Sequence, residues 1–264
     1  MLINNKEFIP FRFNSGEMRI MHSKLDKFIK NNEVSICFNN DMSIFDLFLI
    51  VEYYRDRGVE VNLTITYLPY QRMDHPDKDE IETLKLVAKL FNNLKLKSLK
   101  ICEPHSSIAY FNNATKISFV ELIFKSVCEK INFDVEKDVI VFTDKGSTQR
   151  YFNLAKNCVY GEKRRDEKTG LVKKLKLVGK IKPGQKIMII DDIISSGDTI
   201  LSTLDQIELQ TKEKVYILTG HFEKNRRNGR LIKDPRVKKI FSTNSLTKKR
   251  KTKLFLYDAE KLAK

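Results

Sequence analysis

The sequence predicts an α/β protein built on mostly parallel sheets in two halves, and three observations carry that prediction. Short β-branched runs alternate along the chain with longer stretches whose apolar residues recur at i, i+3 and i+4. The length of 264 residues suits one large domain or two modest ones. The polar stretch 129–138 separates two βαβ-like series of similar size, which places the domains at 1–131 and 132–264.

Residues 34–38 (VSICF) form an apolar, β-branched run and read as a strand. Residues 41–57 put Ile44, Leu47, Phe48 and Val51 on one helical face. Val61, Leu63 and Ile65 alternate, so 61–68 is a strand, which Pro69 follows. Leu84, Val87, Ala88 and Phe91 make 79–94 a helix. A strand at 99–103 runs up to Pro104, and Val120, Ile123 and Val127 support a helix at 118–130. In the second half, strands are expected at 139–143, 186–190, 215–219, 237–242 and 253–256, all built on Val, Ile, Leu and Phe. Helices at 148–156 and 199–210 fall among them. Phe13, Ser15 and Glu17 sit on an early hairpin-like segment.

Hydrophobic residues make up 41% of the chain and charged residues 31%, an ordinary soluble composition. The longest apolar stretch, 44–51, contains Asp46 and falls far short of the ~20 residues a membrane helix needs. The start, MLINNKEFIP, lacks the basic-then-apolar layout of a secretory signal. Cys37, Cys102, Cys128 and Cys158 stand singly, which suggests neither a zinc site nor a disulfide framework. A reduced, cytoplasmic protein without membrane partners is expected. A net charge of +15 favours anionic partners, nucleic acid and polyphosphate metabolites alike. The densest basic run, Lys248-Lys249-Arg250-Lys251, has no interleaved aromatics and reads as a solvated turn.

In parallel sheets, ligands bind at the carboxyl ends of strands, where loops open onto helix N-termini. Four strand ends here carry dense polar chemistry: Pro69-Tyr70-Gln71-Arg72-Met73-Asp74, Glu103-Pro104-His105-Ser106, Asp144-Lys145-Gly146-Ser147 and the segment from Asp191 to Thr199. The last is the most informative. In KIMIIDDIISSGDTI (186–200) a buried strand ends in two adjacent acids, and a short loop then leads into a helix. Small residues at Ser195, Ser196, Gly197 and Thr199 let backbone N–H groups turn toward a phosphate at the positive helix end. Asp191 and Asp192 can accept hydrogen bonds from vicinal sugar hydroxyls or hold magnesium through water. Together these read a ribose 5-phosphate unit.

The stretch resembles the signature of the type I phosphoribosyltransferase fold. Residues 67–74, Tyr-Leu-Pro-Tyr-Gln-Arg-Met-Asp, look like the ATP-contacting segment of the ribose-phosphate pyrophosphokinases (phosphoribosyl pyrophosphate synthases). Phe13-Asn14-Ser15-Gly16-Glu17, Pro104-His105-Ser106, Thr143-Asp144-Lys145-Gly146 and Lys163-Arg164-Arg165 follow in that family's order. The resemblance covers nearly the whole chain and implies two pseudo-symmetric phosphoribosyltransferase-type domains.

It also implies a reaction: ATP is co-substrate, its β,γ-diphosphate moves to the anomeric hydroxyl of a ribose 5-phosphate unit, and AMP is released with Mg2+ as cofactor. Lys163 and Arg165 would supply positive charge from a mobile loop, 162–171, that closes over the diphosphate. His105 would touch ATP phosphates or the metal, and Asp144 would ligate the metal or its waters, although Asp144 also suits a helix N-cap. Arg72 and Asp74 would reach the nucleotide. Phe13, Ser15 and Glu17 would complete a neighbouring subunit's adenine pocket, which implies a homo-oligomer, a dimer or a multiple of dimers. Arg150 reads as a helix-face charge.

The chain departs from the family at Met73, usually Gln, at His75, usually basic, and at Ser195-Ser196-Gly197-Asp198-Thr199, usually Asp-Thr-Ala-Gly-Thr. A carboxylate such as Asp198 beside a dianionic phosphate is unfavourable by roughly several kcal/mol when close and unscreened. Either Asp198 points away, or the bound phosphate carries less charge, as inside ADP-ribose. The sequence also resembles a divergent, often phage-encoded branch, some of whose members pyrophosphorylate ADP-ribose for NAD rebuilding. Ribose 5-phosphate is therefore the first acceptor and ADP-ribose the second. A base phosphoribosyltransferase would leave the first-half motifs without purpose. A non-enzymatic regulatory subunit would not need Lys163 and Arg165, and a nucleic-acid binder is disfavoured.

Overall fold

The computed structural model describes residues 1–39, 42–165, 172–224, 229–248 and 251–264, with 163–165 and 172–174 described by their backbone alone. The chain forms two compact units, Met1–Ser118 with Ala259–Lys264, and Phe119–Asp258. In chain order the first contains β1 (Leu2–Ile3), β2 (Lys6–Glu7), β3 (Phe11–Arg12), β4 (Met18–Arg19), α1 (His22–Leu25), β5 (Glu33–Phe38), α2 (Ile44–Arg55), β6 (Glu60–Ile65), α3 (Thr83–Asn93), β7 (Ser98–Cys102) and β8 (Ala114–Ile117). The second contains α4 (Phe119–Ile131), β9 (Val139–Phe142), α5 (Lys145–Tyr151), β10 (Cys158–Arg165), β11 (Val172–Val178), β12 (Ile187–Ile194), α6 (Asp198–Glu208), β13 (Val215–Phe222), α7 (Gly229–Lys233), β14 (Val237–Thr243) and β15 (Leu254–Tyr257). Helix α8 (Ala259–Leu262) returns to the first unit. The division falls after Ser118 rather than at the expected 131/132, because α4 packs with the second sheet: its buried Phe119 ring meets His221 of β13 edge-on at 6.0 Å.

Among the described residues the first unit has a six-stranded sheet ordered β2-β1-β5-β6-β7-β8. Strands β5 to β8 are parallel, and β1 runs antiparallel to both β2 and β5. One sheet face carries Val34, Ile36, Phe38, Val61, Leu63, Ile65, Leu99 and Ile101, all buried in one core with residues of α2 and α3. The opposite face is polar, so these parallel strands alternate instead of reading as continuous apolar runs. Ser35, Cys37, Asn62, Thr64 and Lys100 line a cleft of about 300 Å³ there, with Glu260 of α8 on its wall. Helix α2 starts at Ile44 because Ser43 caps it, accepting the Asp46 N–H at 3.1 Å.

The second unit has, among its described residues, a seven-stranded sheet ordered β11-β10-β9-β12-β13-β14-β15, parallel except for the β10/β11 pair. Its central strands β9 and β12 are almost wholly buried, as the apolar runs Val139–Phe142 and Ile187–Ile190 require. Three differences from expectation bear on function. Strand β12 runs on to Ile194, so Asp191 and Asp192 lie inside it rather than beyond its end. Helix α5 begins at Lys145, not at 148, because Asp144 caps it. The loop expected at 162–171 is in part a β-hairpin: Lys163 pairs with Leu175 and Arg165 with Val172, while residues 166–171 lie outside the described residues. No helix among the described residues is long and apolar enough to cross a membrane.

Gly161 of β10 approaches the end of β9 closely. A Cβ there would lie 2.4 Å from the Thr143 carbonyl oxygen, a contact that requires backbone to move. Gly161→Ala is expected to destabilise the protein by at least about 2 kcal/mol, read as a lowered urea midpoint. An unchanged midpoint would contradict the close approach.

Candidate active site

In the second unit, β9 stops at Phe142 while its neighbour β12 continues to Ile194. Their pairing ends at Ile190 opposite Phe142, so Asp191 and Asp192 follow where β9 has turned into α5. The fully buried Thr143 donates its hydroxyl to Asp191 Oδ2 at 3.0 Å. The Asp192 N–H donates to Asp191 Oδ1 at 3.0 Å. Asp144 Oδ1 accepts the Ser147 N–H at 3.0 Å, and the Ser147 hydroxyl accepts from the Asp144 N–H at 3.1 Å, which closes a capping box. Farther along α5, Arg150 Nη2 donates to Asp192 Oδ1 at 2.9 Å in an ion pair almost removed from solvent. Arg150, read from sequence as a surface charge, is therefore the cation of this acidic site. The signal was its place on α5, a helix whose cap adjoins the two acids.

Burial pushes the Asp191 carboxyl well above the usual range, and the neighbouring charges of Asp192 and Asp144 push it further. Its oxygens, with those of Asp192 and Asp144, are a hard-ligand set. Among the described residues no three His, Cys, Asp or Glu side chains are gathered as a metal cage. Carboxylate oxygens of this kind suit a magnesium ion that keeps several of its waters.

The loop after β12 turns into α6 through Gly197, whose φ of +84° is a left-handed conformation that side chains rarely adopt. This turn starts the eleven-residue α6 and presents its N-terminal amides, with Ser196 and Thr199 beside them. The Ser195 hydroxyl donates to Glu223, which leaves it an acceptor for any further partner. Asp198 is held by Arg230, whose Nη2 lies 2.6 Å from Asp198 Oδ1. Lys163 and Arg165 are placed on β10 of the same sheet.

In the first unit, the loops after β6 and β7 are joined. The His105 N–H donates to Gln71 Oε1 at 2.9 Å, and the Ser106 hydroxyl donates to the Gln71 carbonyl at 2.7 Å. Gln71 is buried to 1% exposure, while Arg72 and His75 are exposed and His105 and Asp74 half-buried. Burial acts to raise the Asp74 carboxyl, but hydrogen bonds from Ser106 and His75 outweigh it and hold Asp74 below the usual carboxylate range. Tyr70 and Glu103, which flank this junction, both have left-handed backbones, φ +63° and +42°. Such strain in non-glycine residues concentrates at functional sites. Phe13, Ser15 and Glu17 lie on the β3/β4 hairpin, closed by Phe13 N–H to Glu17 C=O at 3.0 Å and Ser15 hydroxyl to Glu17 Oε2 at 2.8 Å. An Arg12–Asp46 ion pair of 2.5 Å anchors this hairpin to α2.

The fold accommodates Asp191 best when it is protonated. It therefore lowers stability increasingly as pH rises from the ordinary carboxyl value of about 4 through its raised folded value. Asp191→Asn is expected to raise the apparent Tm by about 2–5 °C near neutral pH, with the gain fading as the buffer is acidified. A thermal scan showing a loss of Tm at neutral pH would contradict this.

The chain is 30% identical over 201 residues to the ribose-phosphate pyrophosphokinase of Saccharolobus solfataricus, spanning 72% of this chain and 67% of that one. It is 29% identical over 216 residues to the ribose-phosphate pyrophosphokinase of Sulfolobus acidocaldarius, spanning 78% and 72%. No family model matches. The phosphoribosylpyrophosphate synthetase from Mycobacterium smegmatis has a similar fold, with a TM-score of 0.76 over 96% of this chain and 86% of that one at 18% identity. Sequence identity sustained across two thirds of a relative, on a shared fold, makes this chain a member of the ribose-phosphate pyrophosphokinase family of transferases.

Proposed function

We propose that this protein transfers the β,γ-diphosphate of ATP to the anomeric hydroxyl of ribose 5-phosphate and releases AMP. The observation that carries this reading is the pairing of two acids on β12 with a helix N-terminus started by a glycine five residues on, since one suits vicinal hydroxyls and the other a phosphate. In the reaction, O1 of the sugar attacks the β-phosphorus and loses its proton. The bond from that phosphorus to the α-phosphate oxygen breaks, and AMP leaves with the electron pair. Asp191 and Asp192 would orient the sugar, with Arg150 fixing Asp192. The backbone amides at Gly197, Asp198 and Thr199 would hold the 5-phosphate.

Asp144 and Asp191 would hold Mg2+, which neutralises charge on the transferring diphosphate. The acid crowding that raises Asp191 is what such a cation relieves. Lys163 and Arg165, on β10, would add positive charge as the bridging bond breaks. In the first unit, the junction of Gln71, His105, Ser106 and Asp74 would receive ATP, with Arg72 toward its phosphates. Asp198 does not require a monoanionic phosphate, because Arg230 already pairs with it. That favours ribose 5-phosphate over ADP-ribose. Exposed Ile9, Phe11 and Phe13 on and beside the hairpin support a homo-oligomer in which Phe13, Ser15 and Glu17 serve a neighbouring subunit's adenine pocket.

Purified protein with MgATP is expected to form AMP with ribose 5-phosphate and much less with ADP-ribose. Preference for ADP-ribose would change the acceptor, and AMP with neither would end the diphosphokinase reading. Lys163→Ala is expected to lower kcat at least about a hundredfold with little change in substrate binding. Gln71→Ala, which frees the His105 loop, is expected to raise KM for ATP about five- to tenfold while moving kcat less. Equal KM values would detach that junction from the nucleotide.

A further inference from the structure

Four contacts bind the 195–199 loop and the end of β12 to Glu223, just after β13, and to two residues of α7. Ser195 donates to Glu223, and the Glu223 N–H donates in turn to the Ile194 carbonyl at 2.9 Å. Gly197 lies against the buried Leu231 of α7, whose Cβ would be 3.3 Å from a Cβ at position 197. Arg230, one residue earlier on α7, holds Asp198 at 2.6 Å. The start, the turn and the end of the loop are thus each fixed by a different residue, Glu223, Leu231 and Arg230. These contacts have an electrostatic consequence. Asp198 is the carboxylate in the first turn of α6, where the amides would meet a dianionic phosphate. Left alone it would repel that phosphate and offset the helix dipole. Both side chains are more than half exposed, so the pair adds little to stability, and its value lies elsewhere.

We propose that Arg230 is a positioning residue for the phosphorylated acceptor: it holds Asp198 and neutralises it, so that the 195–199 loop can accept a phosphate dianion. Leu231 and Glu223 set the shape of the same loop from behind. The proposal rests on the reading of this loop as the acceptor's phosphate site. It makes Arg230 act through Asp198, not through direct contact with the ligand, and this distinction can be measured.

The test is a double-mutant cycle on the full chain with Arg230→Gln, Asp198→Asn and the pair, varying ribose 5-phosphate at saturating MgATP. Arg230→Gln is expected to raise KM for ribose 5-phosphate about five- to tenfold, with kcat within about twofold. In the Asp198→Asn background the same substitution is expected to change KM by less than about twofold, because no carboxylate remains to shield. An undiminished effect in that background would mean Arg230 acts on the phosphate or the fold directly, and would overturn the proposal. So would an unchanged KM in the single variant. If the wild-type protein formed no AMP, the functional reading would fail by itself. Calorimetric titration of the same four proteins with ribose 5-phosphate would then decide the role of Arg230 by the same pattern of dissociation constants.

Discussion

Burying carboxylates together is the constraint around which the second unit is organised. Asp191 and Asp192 sit on a strand whose other residues are apolar, with Asp144 close enough to act on Asp191. An isolated acid so deep would protonate or destabilise the fold. Here the surroundings are arranged to hold it: Thr143 donates to Asp191, the backbone of Asp192 donates to it as well, and Arg150 pairs with Asp192. The capping box at Asp144 fixes where α5 begins and so where Arg150 falls. Gly161 lets β10 press against the carbonyl of Thr143, the residue that carries the hydroxyl to Asp191. Even with Arg150 beside them, the three acids leave the Asp191 carboxyl raised.

In the first unit the order is mechanical: two loops at neighbouring strand ends are tied together. Gln71 is buried, and its carbonyl and side-chain oxygens bind two residues of another loop, so the two strand ends behave as one surface. Left-handed backbones at Tyr70 and Glu103 are tolerated because the strands on which the loops rest are packed in an apolar core. Exposed Arg72 and half-buried His105 stand on that rigid base.

Most of the architecture was legible in the sequence because its strands and helices have clear periods. The runs at 139–142 and 187–190 could hardly be anything but buried parallel strands, and the helices over 83–93 and 119–131 show their apolar faces plainly. Three features were not legible. The β10/β11 hairpin is written in Lys, Arg and Glu, so its polar composition looks like a solvated loop. Only pairing across the sheet edge makes it a strand. The extension of β12 through Asp191 and Asp192 follows from its pairing with β13, in which Asp191 lies opposite Thr219, and no local signal announces it. Arg150 looked like one charge among many because its partner is 42 residues away. The residues of the strand-end motifs stand out in the sequence, while the residues that hold them in place follow packing and do not.

In the proposed reaction two phosphoryl groups move as one unit from ATP to the sugar. Phosphorus-31 NMR of a reaction with MgATP and ribose 5-phosphate observes this directly. Equimolar AMP is expected, with a new pair of coupled resonances from a diphosphate attached to the sugar's anomeric carbon and no ADP. Formation of ADP with a sugar monophosphate, or of free phosphate alone, would contradict it.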